Sequence, residues 1–351
     1  MGNSTLLLAC DVGGTNTSVA LVRNEGRRFL ILRRFRFSTQ ELASLEEALF
    51  HVRDELDEDG RRDLLPRALC ISGAGPVRRN TCHLTNVPWT IEGDSIAEAL
   101  ALPVRVINDF TAISYGIPLL DTEDTTKLGM LAPAATPPPE PEGTVRAVVG
   151  AGTGLGVGYV IDHHREYLAL PSEGGHAPFA PYDERSRNLL ASISRRESAS
   201  PGAESFVSGR GIGNILEFFR ETGRIGREST LLRDIKPDSD TARTVSDAAH
   251  AGDPLAVEIM EFFVENYARV AAGVALHFLP LGGLYLAGGI VTKNEHWFTA
   301  KERFLKAFRI SYRPNIQTLL QRIPVYVVRD YEVSLYGAAY GALLLLKEKT
   351  A

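Results

Sequence analysis

The chain is poor in cysteine, with three. Cys10, Cys70 and Cys82 are an odd set, and the first two sit in apolar, strand-like runs. Buried thiols are expected rather than a disulfide framework. An excess of positive charge is also missing: 38 Lys and Arg against 43 Asp and Glu leave a formal charge of −5. The arginine pairs Arg27/Arg28, Arg61/Arg62 and Arg195/Arg196 are scattered, so they read as solvated faces, and no nucleic-acid partner is expected. No apolar run approaches ~20 residues, and the first strand begins by Leu6 with no charged leader and apolar h-region before it. No membrane association is expected from this, and a cytoplasmic location is. Neither GxxxxGK[ST] nor GxGxxG occurs, which sets aside the P-loop and Rossmann arrangements, where one glycine-rich turn feeds a helix.

What is present is a chain of 351 residues, 44% of them apolar, enough for a sizeable core and about two domains. The stretch "LLLACDVGGTNTSVALV", Leu6 to Val22, reads as a hairpin: strand Leu6 to Cys10, a turn at Val12 to Thr17, strand Ser18 to Val22. A turn needs one or two residues that tolerate positive φ. This one also supplies small side chains, backbone amides and the Asp11 carboxylate, and such a turn can cradle phosphate. "RRFLILRRFRFS" reads as a third strand, "LEEALFHVRDEL" as a helix with Leu45, Leu49, Val52 and Leu56 on one face, and "RALCISGAGPV" and "VRVINDF" as further strands. Around 133–141, "PAATPPPEPEG" is a surface connection whose prolines keep it out of regular elements. Beyond it "VRAVVGAGTGLGVGYVI" repeats strand, glycine turn and strand about 140 residues after the first copy. A chain with two such hairpins reads as two pseudo-equivalent halves gripping one nucleotide. Gly150, Gly152, Gly154 and Gly156 let the second backbone approach a phosphate, and Thr153 adds a hydroxyl.

The segments "DVGGTNT", "INDFTA", "GAGTGLG", "EGGHAPFAP", "SGRGIGNI" and "LAGGIV", in that order over residues 6 to about 291, resemble the bacterial glucokinase family of the sugar kinase, Hsp70 and actin ATPase superfamily. The resemblance implies an α/β fold: two related α/β domains of the actin-like ATPase (ribonuclease H-like) type with an interdomain cleft. The small domain would span 1–110 plus 333–351, with the C-terminal helix "SLYGAAYGALLLLKEK" returning to it, and the large domain 111–332. It implies a kinase that transfers the γ-phosphoryl group of ATP to the 6-hydroxyl of glucose, uses Mg²⁺ and forms a homodimer. It makes Asp109 the general base toward that hydroxyl, with Asn108 bonding the same sugar. Glu204 becomes a third acidic sugar contact, Asn86 part of a sugar-side loop, and Gly288 and Gly289 an adenosine-side motif.

The chemistry has its own logic. Phosphoryl transfer requires that the donor phosphates be held, the acceptor aligned and its proton accepted. "VRVIND" is an apolar strand ending in two polar residues, which puts the Asp109 carboxylate at the strand's carboxyl edge, where clefts in α/β sheets form. The alternative is an N-cap for the next helix. Glu173 and His176, separated by two glycines in a segment too rich in glycine and proline for a helix, can converge on one small ligand. His176 could instead be a zinc ligand, as in the related ROK sugar kinases, but the downstream cysteine cluster is missing. Glu204 could be an exposed glutamate ahead of a helix at 209–219, and Gly288–Gly289 a plain strand-to-helix turn. A bare carboxylate beside phosphates is repelled, so Asp11 is expected to act through Mg²⁺ and its water. Gly13, Gly14 and Thr15, with Asn16 closing the turn, would face the phosphate tail, and Gly152, Thr153 and Gly154 its opposite side. Trp89 reads as core, as do Met260, Phe263 and Tyr267 on the long apolar helix. Two other readings stay open, a kinase for fructose or mannose and an ATPase using water, while a sugar-responsive repressor is not expected. The repressor would need a helix-turn-helix ahead of the first strand.

Overall fold

The computed structural model describes residues 4–58, 65–84, 87, 89–134, 144–164, 166–197, 200–224 and 240–349. The expected Pro-rich connection lies almost wholly outside them. The chain divides into two compact units, one of Met1–Asp124, Tyr167–Leu170 and Asp330–Ala351, the other of Thr125–Glu166 and Pro171–Arg329. The first unit runs past the expected limit at 110 because that limit would cut a helix, Asp109–Gly116, in two.

In the first unit, β1 (Thr5–Val12), β2 (Asn16–Glu25) and β3 (Arg28–Ser38) form an antiparallel meander. α1 (Leu45–Glu58) leads to β4 (Leu69–Gly73), parallel to β1. A small sheet of β5 (Val77–Arg78), β6 (Thr81–His83) and β7 (Thr90–Glu92), not foreseen in the sequence, precedes α2 (Gly93–Leu100). Then β8 (Val104–Asn108) pairs parallel with β4 and runs into α3 (Asp109–Gly116), giving the strand order β3-β2-β1-β4-β8. β1 is buried on both faces, which is why it reads as an unbroken apolar run. Leu8, Cys10 and Val12 pack with Leu45, Leu49, Val52 and Leu56 of α1 and with Ile96 of α2. Leu7 and Ala9 face Ala112 of α3 and Leu335, Ala338, Ala339 and Ala342 of the C-terminal helix Val333–Glu348. That helix is thus part of the first unit, and small residues let it approach closely: a Cβ on Gly337 would overlap the Ala112 carbonyl oxygen, and one on Gly341 would lie 2.8 Å from Cys70 Sγ. Cys10, Cys70 and Cys82 are free, buried thiols, as expected.

In the second unit, β9 (Leu128–Ala132) is followed by β10 (Val145–Ala151) and β11 (Leu155–His163), an antiparallel hairpin; the short β12 (Glu166–Leu170), next in the chain, belongs to the first unit but for Glu166. β13 (Leu284–Ala287) lies parallel to β10, β14 (Val325–Val328) parallel to β13, and β9 antiparallel to β14. β10, flanked by its antiparallel hairpin partner and a parallel strand, repeats the setting of β1 between β2 and β4. The internal repeat is therefore topological as well as sequential, and the architecture is that of the actin-like ATPases. The helix Pro254–Phe278 starts with Asp253 as N-cap and Pro at its first position, a combination that satisfies the leading amides and fixes φ. Met260, Phe263 and Tyr267 are fully buried, and the Tyr267 hydroxyl donates to the Val149 carbonyl of β10 at 2.7 Å. Among the described residues no helix is long and apolar enough to cross a membrane.

Candidate active site

The first turn is shorter than its sequence suggests: β2 begins at Asn16, and only Gly13 to Thr15 turn. The Gly13 amide donates to the Asn16 carbonyl at 3.0 Å, so the amides the turn can offer outward are those of Gly14 and Thr15. Thr39, buried beside Thr17, anchors the turn by donating from its hydroxyl to the Gly13 carbonyl (2.9 Å) and from its amide to Thr15 (2.9 Å). Arg36 Nε reaches the Asn16 side-chain oxygen at 3.3 Å.

Asp11, next to last in β1, lies in register with Ser72 of β4. One carboxylate oxygen accepts the Ser72 hydroxyl, and the other accepts the Ser334 hydroxyl at 2.8 Å. Burial raises its carboxyl above the ordinary range, against the pull of these two hydrogen bonds. Asn108 ends β8 and caps α3, its Oδ1 accepting the amides of Phe110 (2.9 Å) and Thr111 (3.4 Å) while its Nδ2 donates to the Gly75 carbonyl at 3.1 Å. The cap is therefore Asn108 rather than Asp109. Asp109 is the first residue of the helix, and its Oδ1 also accepts the Phe110 amide, at 2.9 Å. Burial pushes the Asp109 carboxyl up to about 6; the Phe110 hydrogen bond works against this and the charge of Asp11 adds to it. Neither carboxylate has an ionic partner among the described residues. A pair of half-buried carboxylates without a cation suits a hard divalent ion held by oxygen. No cluster of three or more His, Cys, Asp or Glu side chains gathers among the described residues.

In the second unit the other candidates meet around Leu155, the first residue of β11. Its amide donates to Glu204 Oε2 at 3.0 Å. Its carbonyl lies so close to Gly175 that a Cβ there would overlap it. Gly174–His176 form one 3₁₀ turn, so the segment is not devoid of helix as its composition suggests; a single turn needs no long run of helix formers. The turn is fixed further by the Ala203 amide, which donates to the Ala177 carbonyl at 2.8 Å, and by the Pro178–Gly202 bridge. The side chains of Glu173 and His176 are 82% and 67% exposed and only loosely paired at 3.9 Å, which leaves both free to turn toward a ligand. Glu204 is not the exposed glutamate its sequence position allowed. It supports the second glycine turn: its Oε2 would lie 2.6 Å from a Cβ on Gly154, and its Oε1 pairs with Arg210 at 3.2 Å.

The nucleotide candidates of this unit also come together. Gly152 donates to the Gly154 carbonyl (2.9 Å) and accepts from the Gly209 amide (2.8 Å) where helix Gly209–Glu221 begins. Gly288, with φ 94°, forms the turn from β13 into a short helix, and a Cβ there would collide with Ala151 at the end of β10. Only glycine fits. Gly152 and Gly289, by contrast, have open space where a Cβ would stand, and Thr153 is exposed in the turn between Gly152 and Gly154. Asn86 lies outside the described residues. Trp89 packs, half buried, against the core of the first unit. The residues the sequence did not announce are Ser72, Ser334 and Arg210. Ser72 closes the apolar run of β4 at the place where Asp11 closes that of β1, a parallel that was available; Ser334 carried no local signal.

The sequence profile described as Glucokinase matches residues 8–344. A glucokinase of Synechocystis sp. is 37% identical over 351 residues, covering 95% of this chain and 96% of that one. Among solved structures, the glucokinase of an Antarctic psychrotroph superposes with a TM-score of 0.81 at 25% identity, over 97% of this chain and 99% of its own. A ROK family glucokinase from Streptomyces griseus, solved with glucose and AMPPNP, shares the fold with a TM-score of 0.63 at 22% identity, over 97% and 99%.

Proposed function

Since this chain belongs to the glucokinase family, a family of ATP-dependent hexose kinases, we propose that it phosphorylates glucose at the 6-hydroxyl, with Asp109 accepting the hydroxyl proton as the oxygen attacks the γ-phosphorus and ADP departs. The observation that carries this reading is the Asp109 carboxyl at the start of α3, just past the end of β8. It is raised to about 6, so it is ionised at neutral pH yet basic enough to take a proton. Asn108, fixed by its cap and by Gly75, holds the same sugar. Glu173, His176 and Glu204 read its other hydroxyls, and Asn86 belongs to the same sugar-side loop. The Gly13–Asn16 turn and the Gly152, Thr153 and Gly154 turn take the phosphate tail, and Gly288–Gly289 the adenosine. Mg²⁺, held by Asp11 through water, supplies neutralisation of the phosphate charge when bound. The enzyme works in glycolysis in the cytoplasm as a homodimer. Neither nucleic acid nor membrane is a partner.

The test is steady-state kinetics across glucose, fructose, mannose and xylose with ATP and Mg²⁺. Changing Glu173 to Gln is expected to raise KM for glucose about tenfold while KM for ATP moves less than twofold, since a charge-assisted hydrogen bond to the sugar is lost. Xylose, which has no 6-hydroxymethyl, should accept little phosphate. An unaltered glucose KM in Glu173→Gln, or ATP hydrolysis equally fast with and without sugar, favours an ATPase instead. Activity is expected to require Mg²⁺ and to withstand a zinc-selective chelator; loss of activity with the chelator alone would contradict the metal assignment.

A further inference from the structure

The second unit carries an open groove of about 990 Å³ that no candidate site residue lines. One wall is the segment Ala180–Asp183, another is Glu265 and Arg269 of the helix Pro254–Phe278, and the third is drawn from residues 301–312. The volume is that of a small-molecule site. Its charge is uneven once the partners are followed. Of its two acids, Asp183 accepts the Ser186 amide at 2.7 Å as a helix cap, and Glu265 accepts from Arg303 at 2.7 Å. Arg303 is balanced by Glu261 as well. Three cations remain. Arg269 donates to the main-chain carbonyls of Ala307 (3.2 Å) and Ile310 (2.5 Å), and Lys301 and Lys306 have no acidic partner among the described residues.

Two further observations point to a ligand. The Tyr182 hydroxyl and Arg269 Nε are buried without a hydrogen-bond partner in walls of this groove; native proteins rarely leave such atoms unsatisfied. At the rim, Lys301 and Glu302 are both left-handed, each with φ 54°. Consecutive non-glycine residues in that region are strained, and such strain gathers at ligand clamps. The exposed side chains of Ile310 and Tyr312 add an apolar edge.

We infer that this groove binds a small phosphate monoester, its phosphate between Lys301, Lys306 and Arg269 and its carbon skeleton along Tyr182, Ile310 and Tyr312. The binding is separate from the phosphoryl-transfer chemistry and does not depend on its assignment. The test is calorimetric titration of the full chain with 3-phosphoglycerate, with inorganic phosphate and with glycerate, each in saturating glucose and AMPPNP so that the candidate active site is occupied. Saturable binding of 3-phosphoglycerate is expected, with glycerate at least tenfold weaker. The double variant Lys301→Ala/Lys306→Ala should weaken binding at least tenfold while leaving kcat and both KM values within twofold. Absence of saturable binding by either phosphate probe overturns the proposal, as does binding that the double variant leaves intact. Equal affinity for glycerate overturns the phosphate assignment, and inorganic phosphate binding as tightly as the ester overturns the part given to the carbon skeleton.

Discussion

Asp109→Asn should abolish turnover and at the same time make the protein more stable. The amide keeps the shape of the carboxylate and can still accept the Phe110 amide through its oxygen, so glucose should bind nearly as before. It cannot take the proton, and a fall in kcat of roughly three orders of magnitude or more is expected when a positioned general base is lost. In the parent enzyme kcat/KM should fall as the pH drops through about 6, where Asp109 protonates; the variant should show no such limb. The stability effect has the opposite sign. The folded carboxyl is raised from 3.8 to about 6, so between those values the native state binds the proton that the unfolded chain has released, and stability falls as pH rises through that window. Above it the full cost of the buried charge is present. The neutral amide escapes it, and a gain of ~1–2 kcal/mol at pH 8 is expected after allowance for partial exposure. Chemical denaturation at pH 8 and pH 4 checks this: the difference between variant and parent should shrink at the lower pH. A variant that turns over normally, or that is less stable at pH 8, removes Asp109 from this role.

The second large effect is structural. Gly337→Ala places a methyl into the Ala112 carbonyl oxygen, 2.6 Å from its carbon and 2.8 Å from the Gly116 nitrogen, all main-chain atoms of α3. Backbone cannot swing aside as a side chain can, so the C-terminal helix and α3 must separate. A loss of ~3 kcal/mol or more is expected, at the upper end of what overpacking costs. Because α3 starts at Asp109, kcat should fall too. The control is Gly273→Ala, in the helix Pro254–Phe278, where a Cβ meets nothing within 4 Å. There the substitution should stabilise by ~0.5–1 kcal/mol, since alanine loses less conformational freedom on entering a helix. Thermal melts of the two variants should move in opposite directions.

These contrasts also show what the sequence can and cannot disclose. The hairpins were legible because glycine, threonine and aspartate interrupt apolar strands abruptly, and the long helix because its burial extends around Met260, Phe263 and Tyr267. Asp109 was legible as the polar end of an apolar strand. Its neighbour Asn108 was not legible as the actual helix cap, since both residue types cap equally well and only the backbone at their positions decides between them. The hydrogen bonds that fix Asp11 come from residues 61 and 323 positions away, and nothing in a local window foretells such partners. Glu204 is similar: its place under the Gly154 turn depends on the Leu155 amide, 49 positions away in the chain. Short strands such as β5, β6 and β9 hold too few residues for a period to emerge.

The C-terminal helix has a further consequence during synthesis. One face of β1 and β4, carrying Leu7, Ala9 and Cys70, is covered by Leu335, Ala338 and Ala339, residues translated only after the whole of the second unit. The second unit, drawn from 125–166 and 171–329, has all its own strands and helices before then. The nascent first unit must therefore hold an uncovered apolar sheet face for as long as it takes to translate the whole of the second. At ~5–20 residues per second that is on the order of ten seconds or more, long enough for a holding chaperone to be engaged.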